Sequence, residues 1–308
     1  MLAAGLAVGA VAGYLGWQTR GNLGFALALR GATAGAMLVA AFAQAVATVV
    51  FHTVTANRIL SPSVMGFDRL FVLMQTVLVT LFGGEILART EGALRLIIQT
   101  LLMAGFATML YRWLFTNSRG GLYRTLLVGL ALGMAFDTIS TFLERLLHPT
   151  DYDLLSLELF GRITAVDAGL LPLSFGVCAA AGMVVWRRRH ILDALLLGRY
   201  LATSIGVDHR RELTIMLMVV ATLVSFSTAL VGPMTFFGFL AATLAYQLAG
   251  THRHAFVLPL AVLLGVIALA GGQFIMQHLF YAAGFLTVII EFVGGIVFLA
   301  ILLGGRKS

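Results

Sequence analysis

The sequence reads "GAMLVAAFAQAVATVVF" over 35–51, "HTVTANRILSPSVMGFDRL" over 52–70 and "FVLMQTVLVTLF" over 71–82. An apolar run gives way to a polar break carrying Pro62, and a second apolar run follows. With the residues around them, both runs approach the roughly 20 residues that carry an α-helix across a bilayer. Neither shows the apolar–polar alternation of a β-barrel strand. The break is a turn between two membrane helices.

The same pattern recurs outward from this point to both ends. The chain of 308 residues is 60% hydrophobic and 11% charged, with a mean hydropathy of +0.99, whereas a soluble domain carries about a quarter charged residues. Ten spans are expected, at about 1–17, 27–51, 67–84, 94–114, 122–144, 166–187, 211–231, 233–250, 255–278 and 282–304. The fold class is all-α and polytopic, with residues 1–308 forming a single transmembrane domain. The first span has no basic residue ahead of it, so it reads as a membrane helix and not as a cleaved signal. Between the seventh and eighth spans only Gly232 and Pro233 supply the division.

The arginines orient the helices. With the N-terminus inside, Arg58, Arg69, Arg112, Arg119, Arg124, Arg187, Arg188, Arg189, Arg199, Arg210, Arg211, Arg253, Arg306 and Lys307 fall on the cytoplasmic side. Arg20, Arg30, Arg89, Arg95, Arg145 and Arg162 fall outside, which satisfies the positive-inside rule. Both termini are therefore expected in the cytoplasm of a cell whose inner membrane the protein crosses. The net charge of +7 is a topology signal in this setting and not a sign of nucleic-acid binding. Cys178, the single cysteine, reads as a small buried side chain. Glycines four apart (Gly5, Gly9 and Gly13; Gly31 and Gly35; Gly129 and Gly133) are spaced to let helices approach closely.

Catalytic classes fall away. The sequence holds no phosphate-binding loop, no metal-ligand spacing and no nucleophile–base set. "THRHA" (251–255) reads as a solvated turn and not a metal site. Transporter, channel and scaffold remain. Two acids stand inside spans, Asp137 and Glu291. They read either as lining a route or as interhelical polar contacts. One polar connection is long: "WRRRHILDALLLGRYLATSIGVDHRREL" (186–213). It is basic at both ends, and Leu192, Leu195, Leu196, Leu201 and Ile205 fall near helical spacing. Such an element lies on lipid, caps the bundle, or docks a partner protein.

Within that connection, "LDALLLGRYLATSIGV" (192–207) resembles the L-x-x-L-x-L-G-x-x-x-A-x-x-L-G-V signature of the FecCD-type permeases, the iron–siderophore and vitamin B12 family of ABC importers. Leu192, Leu195, Leu197, Gly198, Ala202, Gly206 and Val207 carry the match, and Arg199 stands where relatives often have an acid. Gly232, Pro233, Phe236, Gly238, His252, Arg253, Leu258, Pro259 and Gly265 resemble the family's G-P-x-x-F-x-G … H-R … L-P-x-x-x-L-x-G block. "NRILSPSVMG" (57–66) is similar to its N-P-L-A-x-P-x-x-L-G turn, with Arg58 in place of proline, and is closest to the ferric, catecholate-type siderophore branch.

The resemblance implies a type II ABC importer permease fold of about ten transmembrane helices, and no enzyme activity of the chain's own. It implies docking of a cytoplasmic ABC ATPase dimer on a helix at about 191–207, with ATP and Mg bound by that partner and no cofactor bound here. It implies a cytoplasmic gate at Asn57 and Ile59 and capture of an extracytoplasmic siderophore-binding protein at Arg30. The partner permease is expected to be a second, different chain in preference to an identical one, and the substrate a ferric siderophore complex. An anionic tris-catecholate would be repelled by acids, which argues against Asp137 and Glu291 as direct ligands. The rival classes are a ten-helix proton- or ion-coupled secondary transporter, and the same permease fold carrying haem or a cobalamin.

Overall fold

The computed structural model describes residues 2–16, 23–89, 92–116, 121–159, 163–278 and 286–304. Of the basic residues that orient the helices, Arg20, Arg119, Arg162, Arg306 and Lys307 lie outside them. Among the described residues the structure is wholly helical, without strands. The helices are α1 (Leu2–Gly16), α2 (Leu23–Thr55), α3 (Phe67–Phe82), α4 (Gly84–Arg89), α5 (Gly92–Thr116), α6 (Gly121–Glu144), α7 (Pro149–Leu159), α8 (Leu171–Arg187), α9 (Arg189–Leu195), α10 (Arg199–Ser204), α11 (His209–Val231), α12 (Phe237–Ala249), α13 (His254–His278) and α14 (Leu286–Gly304). Each of the ten expected spans has its helix. Among the described residues six of them, α2, α5, α6, α8, α11 and α13, are long and apolar enough to cross a membrane on length and composition alone.

α2 is the axis of the bundle. Its span is 89% buried, against 22% for that of α6 and 17% for that of α8. It packs against α1, α8, α9, α11, α12 and α13. Composition explains this: Ala36, Ala40, Ala41, Ala43, Ala45 and Ala47 are all fully enclosed, and small side chains let neighbouring backbones come close. The neighbours contribute glycines at the same points. A Cβ on Gly182 would strike Phe42, one on Gly265 would press on Phe237 and Ala41, and one on Gly238 would lie 2.9 Å from the Gln44 carbonyl.

The glycine spacing in the sequence is only partly used. Gly35 abuts Leu171, and Gly133 abuts Gly66 and Arg69, where α6 crosses the start of α3. A Cβ at Gly5, Gly9 or Gly13 would meet nothing within 4 Å, so α1 packs on other residues. Cys178 is buried with a free thiol, as expected.

Two elements depart from the sequence expectation. The eighth span is shorter than 233–250. α12 begins at Phe237 and has 13 residues, a length of about 20 Å against a hydrocarbon core of about 30 Å. Gly232 at φ 90° and Pro233 end α11, and the chain needs 232–236 before a helix can restart. The connection at 191–207 is not one helix but two. Gly198 at φ 87° separates α9 from α10, and Gly206 at φ 89° ends the pair, both in the left-handed region that glycine adopts without steric cost.

Packing around α2 sets a prediction. Gly238→Val should destabilise the protein by about 3 kcal/mol through overpacking, read as a lower melting temperature in detergent. Gly9→Ala should leave it unchanged.

Candidate functional site

The polar turn after α2 is built by its own residues. Ala56 takes φ 48°, an unusual conformation for a residue with a Cβ. The Asn57 amide donates to the His52 carbonyl at 3.1 Å and the Ala56 amide to the Thr53 carbonyl at 3.2 Å. This pair of bonds closes a helix C-terminus. The Asn57 side chain then accepts from the Ile59 amide at 2.9 Å. Of the two expected gate residues, Asn57 therefore shapes the turn, while the Ile59 side chain is exposed and free to project. Gly66 brings the end of the turn against the Gly133 backbone of α6.

Arg58, the departure from the family proline, has a place. Its guanidinium lies 4.7 Å over the Tyr246 ring, and its Nη2 is 3.1 Å from His252 Nδ1. The turn is thereby fastened to α12 and to the α12–α13 connection. No feature of the sequence pairs 58 with 246 or 252.

Beneath the turn lies a cluster that is only partly visible in the sequence. Ser61 Oγ donates to the Thr235 carbonyl at 3.5 Å. Thr235 Oγ1 donates to Asp68 Oδ2 at 2.8 Å, and the Thr235 amide to Glu291 Oε1 at 3.4 Å. Glu291, on α14, is half-buried and accepts from the break between α11 and α12. Asp68, 6% exposed, escapes sequence reading because an acid in the first turn of a helix reads as a favourable N-terminal charge. Asp137 is exposed on α6.

α9 and α10 form a platform at one end of the bundle. Of the residues the resemblance assigns to docking, Leu192, Leu195 and Ala202 are buried and fix the platform to the helices beneath it. They form its underside. Leu197 and Gly198 face outward, Gly206 is exposed and Val207 is half-buried. Leu196, Tyr200, Leu201 and Ile205 add to the exposed apolar ridge, with Tyr200 88% exposed. Arg187, Arg199, Arg210 and Arg211 surround it and are exposed. Arg188 instead bonds Glu212 at 2.6 Å, tying the end of α8 to the start of α11.

The platform has a polar tie as well. Asp193 Oδ1 accepts from the His254 amide at 2.9 Å and meets its Nδ1 at 2.6 Å. This corrects the expectation that all of "THRHA" is a solvated turn. His252 is exposed, but His254 is 1% exposed. Among the described residues no group of three metal-ligating side chains occurs. Arg30, expected to meet a binding protein, donates from Nη1 to the Tyr14 carbonyl of α1 at 3.0 Å and so braces α1 against α2.

These contacts predict that Arg58→Ala frees the turn. Losing one hydrogen bond and one cation–π contact should raise amide exchange over 56–60 by roughly tenfold, with 209–231 unchanged.

Comparison with known proteins places this architecture. A family model described as the FecCD transport family matches residues 5–304. The petrobactin import system permease protein FatC of Bacillus anthracis is 38% identical over 271 residues, covering 88% of this chain and 77% of that protein. The petrobactin import system permease protein YclO of Bacillus subtilis is 36% identical over 307 residues, covering 100% of this chain and 97% of the relative. Among solved structures, a transporter described as of the metal-chelate ABC type, in an inward-facing conformation, superposes with a TM-score of 0.80 over 98% of this chain and 97% of its own, at 17% identity. The glycine-broken platform, the short α12 and the α2 axis thus sit in a type II importer permease fold, and the chain belongs to the FecCD transport family.

Proposed function

We propose that this chain is the membrane permease subunit of an ABC importer that carries ferric siderophore complexes, of the catecholate class, across the bacterial cytoplasmic membrane. The observation that carries this reading is the ridge of Leu196, Leu197, Tyr200, Leu201 and Ile205 on α9 and α10. An apolar ridge held from below and ringed by arginines suits the groove of a partner protein. A helix lying on lipid would be continuous and amphipathic; this one is broken at Gly198. Family membership and the petrobactin permease relatives support a ferric siderophore as the substrate.

The partner on the ridge is a cytoplasmic ATPase dimer, which supplies all ATP hydrolysis. This puts α9–α10, the 56–66 turn and both termini in the cytoplasm, in agreement with the arginine distribution. The exposed faces of α6 and α8 leave room for a second, non-identical permease chain, and Asp137 lies on the α6 surface. Asn57 and Ile59 then form the inner gate, Asn57 by shaping the turn and Ile59 by closing the path. On the opposite side, Arg30 meets an acidic residue of a siderophore-binding protein.

Tyr200→Asp should prevent the ATPase from co-purifying and abolish uptake. Proteoliposomes holding the complete complex should take up labelled ferric siderophore only with ATP inside the compartment facing the platform. Uptake driven by a proton gradient without the ATPase would establish the secondary-transporter class instead. Arg30→Glu should weaken capture of the binding protein while ATPase association persists.

A further inference from the structure

The connection between α12 and α13, with the first residue of α13, touches both working parts of the molecule. His254 is enclosed, and its two ring nitrogens face different elements. Nδ1 lies 2.6 Å from Asp193 Oδ1, and the His254 backbone amide donates to the same oxygen at 2.9 Å. A carboxylate has no hydrogen to give, so the Nδ1 hydrogen is the one shared. Asp193 sits in α9 between Leu192 and Leu195, the residues that seat the platform. On the opposite edge, Nε2 meets Thr53 Oγ1 at 2.7 Å. Thr53 is in the last turn of α2, and its carbonyl receives the Ala56 amide that starts the polar turn. One imidazole therefore bridges the platform to the end of the axial helix. Two residues earlier, His252 meets Arg58 of the polar turn at 3.1 Å.

We propose that the His252–His254 stretch is a strut that makes the Asn57–Ile59 turn follow the α9–α10 platform, with Asp193, His254, Thr53 and Arg58 as its positioning residues. This rests on the reading of α9–α10 as the ATPase platform. The buried apolar seats of α9 are Leu192 and Leu195, and apolar packing is non-directional and tolerates sliding. The strut bonds are directional, and the one to Asp193 is charge-assisted, with its imidazole end shielded from water. A displacement of Asp193 must then move the His254 backbone and ring together. The motion reaches the polar turn from two sides, through Thr53 at its root and through Arg58 within it. The strut uses no side chain of the exposed ridge, so it can be severed without touching the docking surface.

The test uses the full complex of both permease chains, ATPase and binding protein in proteoliposomes, measuring siderophore uptake and ATP hydrolysis on the same preparation. Asp193→Ala and Thr53→Val should retain the ATPase and its hydrolysis at the wild-type level. Uptake per ATP hydrolysed should fall roughly tenfold in Asp193→Ala, the equilibrium worth of one charge-assisted hydrogen bond, and roughly fivefold in Thr53→Val, which removes an ordinary one. Asp193→Asn keeps an acceptor oxygen and should restore most of the ratio. Thr53→Val carries the test if Asp193→Ala does not fold. Uptake and hydrolysis falling in parallel would mean a purely structural contact and overturn the strut, as would an unchanged ratio in both variants. A wild-type complex that fails to retain the ATPase would overturn the docking reading itself, and the strut with it.

Discussion

A buried backbone amide or carbonyl away from water has no partner but the protein, so this chain can interrupt its helices inside the bundle only where another part of itself completes the hydrogen bonds. The two interruptions flanking the axis, 56–66 and 232–236, meet each other. Thr235 stands at the junction: its carbonyl accepts from Ser61, its hydroxyl donates to Asp68 and its amide to Glu291. Glu291, which looks anomalous in an apolar sequence, and Asp68, which does not, are the acceptors at this junction. α12 begins at Phe237, just past the bonded Thr235.

Much of this fold is legible in the sequence, because run length is a one-dimensional property. Ten apolar runs correspond to ten helices in order, and Gly198 and Gly206 mark the ends of the platform helices. Lateral contacts are not legible. Nothing in 52–70 tells that Arg58 reaches Tyr246 and His252, 188 and 194 positions away in the chain. His254 next to Arg253 has the local signature of a loop, and only the fold buries it against Asp193. The glycine repeat in α1 has the right period but no neighbour close enough to use it.

The signature residues divide by depth in a way that spacing cannot show. Leu192, Leu195 and Ala202 face the bundle, and Leu197 faces away. The motif alone would make all of them the docking surface. The structure separates a buried set that positions the platform from an exposed set that can meet a partner, and Tyr200, outside the signature, is the most exposed of these. The exposed set thus mixes signature positions, Leu197 and Ile205, with positions the motif leaves free to vary, Leu196, Tyr200 and Leu201.

The most direct measurement of the docking surface is a cryo-EM map of the complete importer in lipid nanodiscs. ATPase density should be seated on Leu197, Tyr200, Leu201 and Ile205, with Asp193 still bonded to His254 beneath. A map in which those four side chains lie in the lipid belt, with the ATPase bound elsewhere or absent, would contradict the proposed role of the platform.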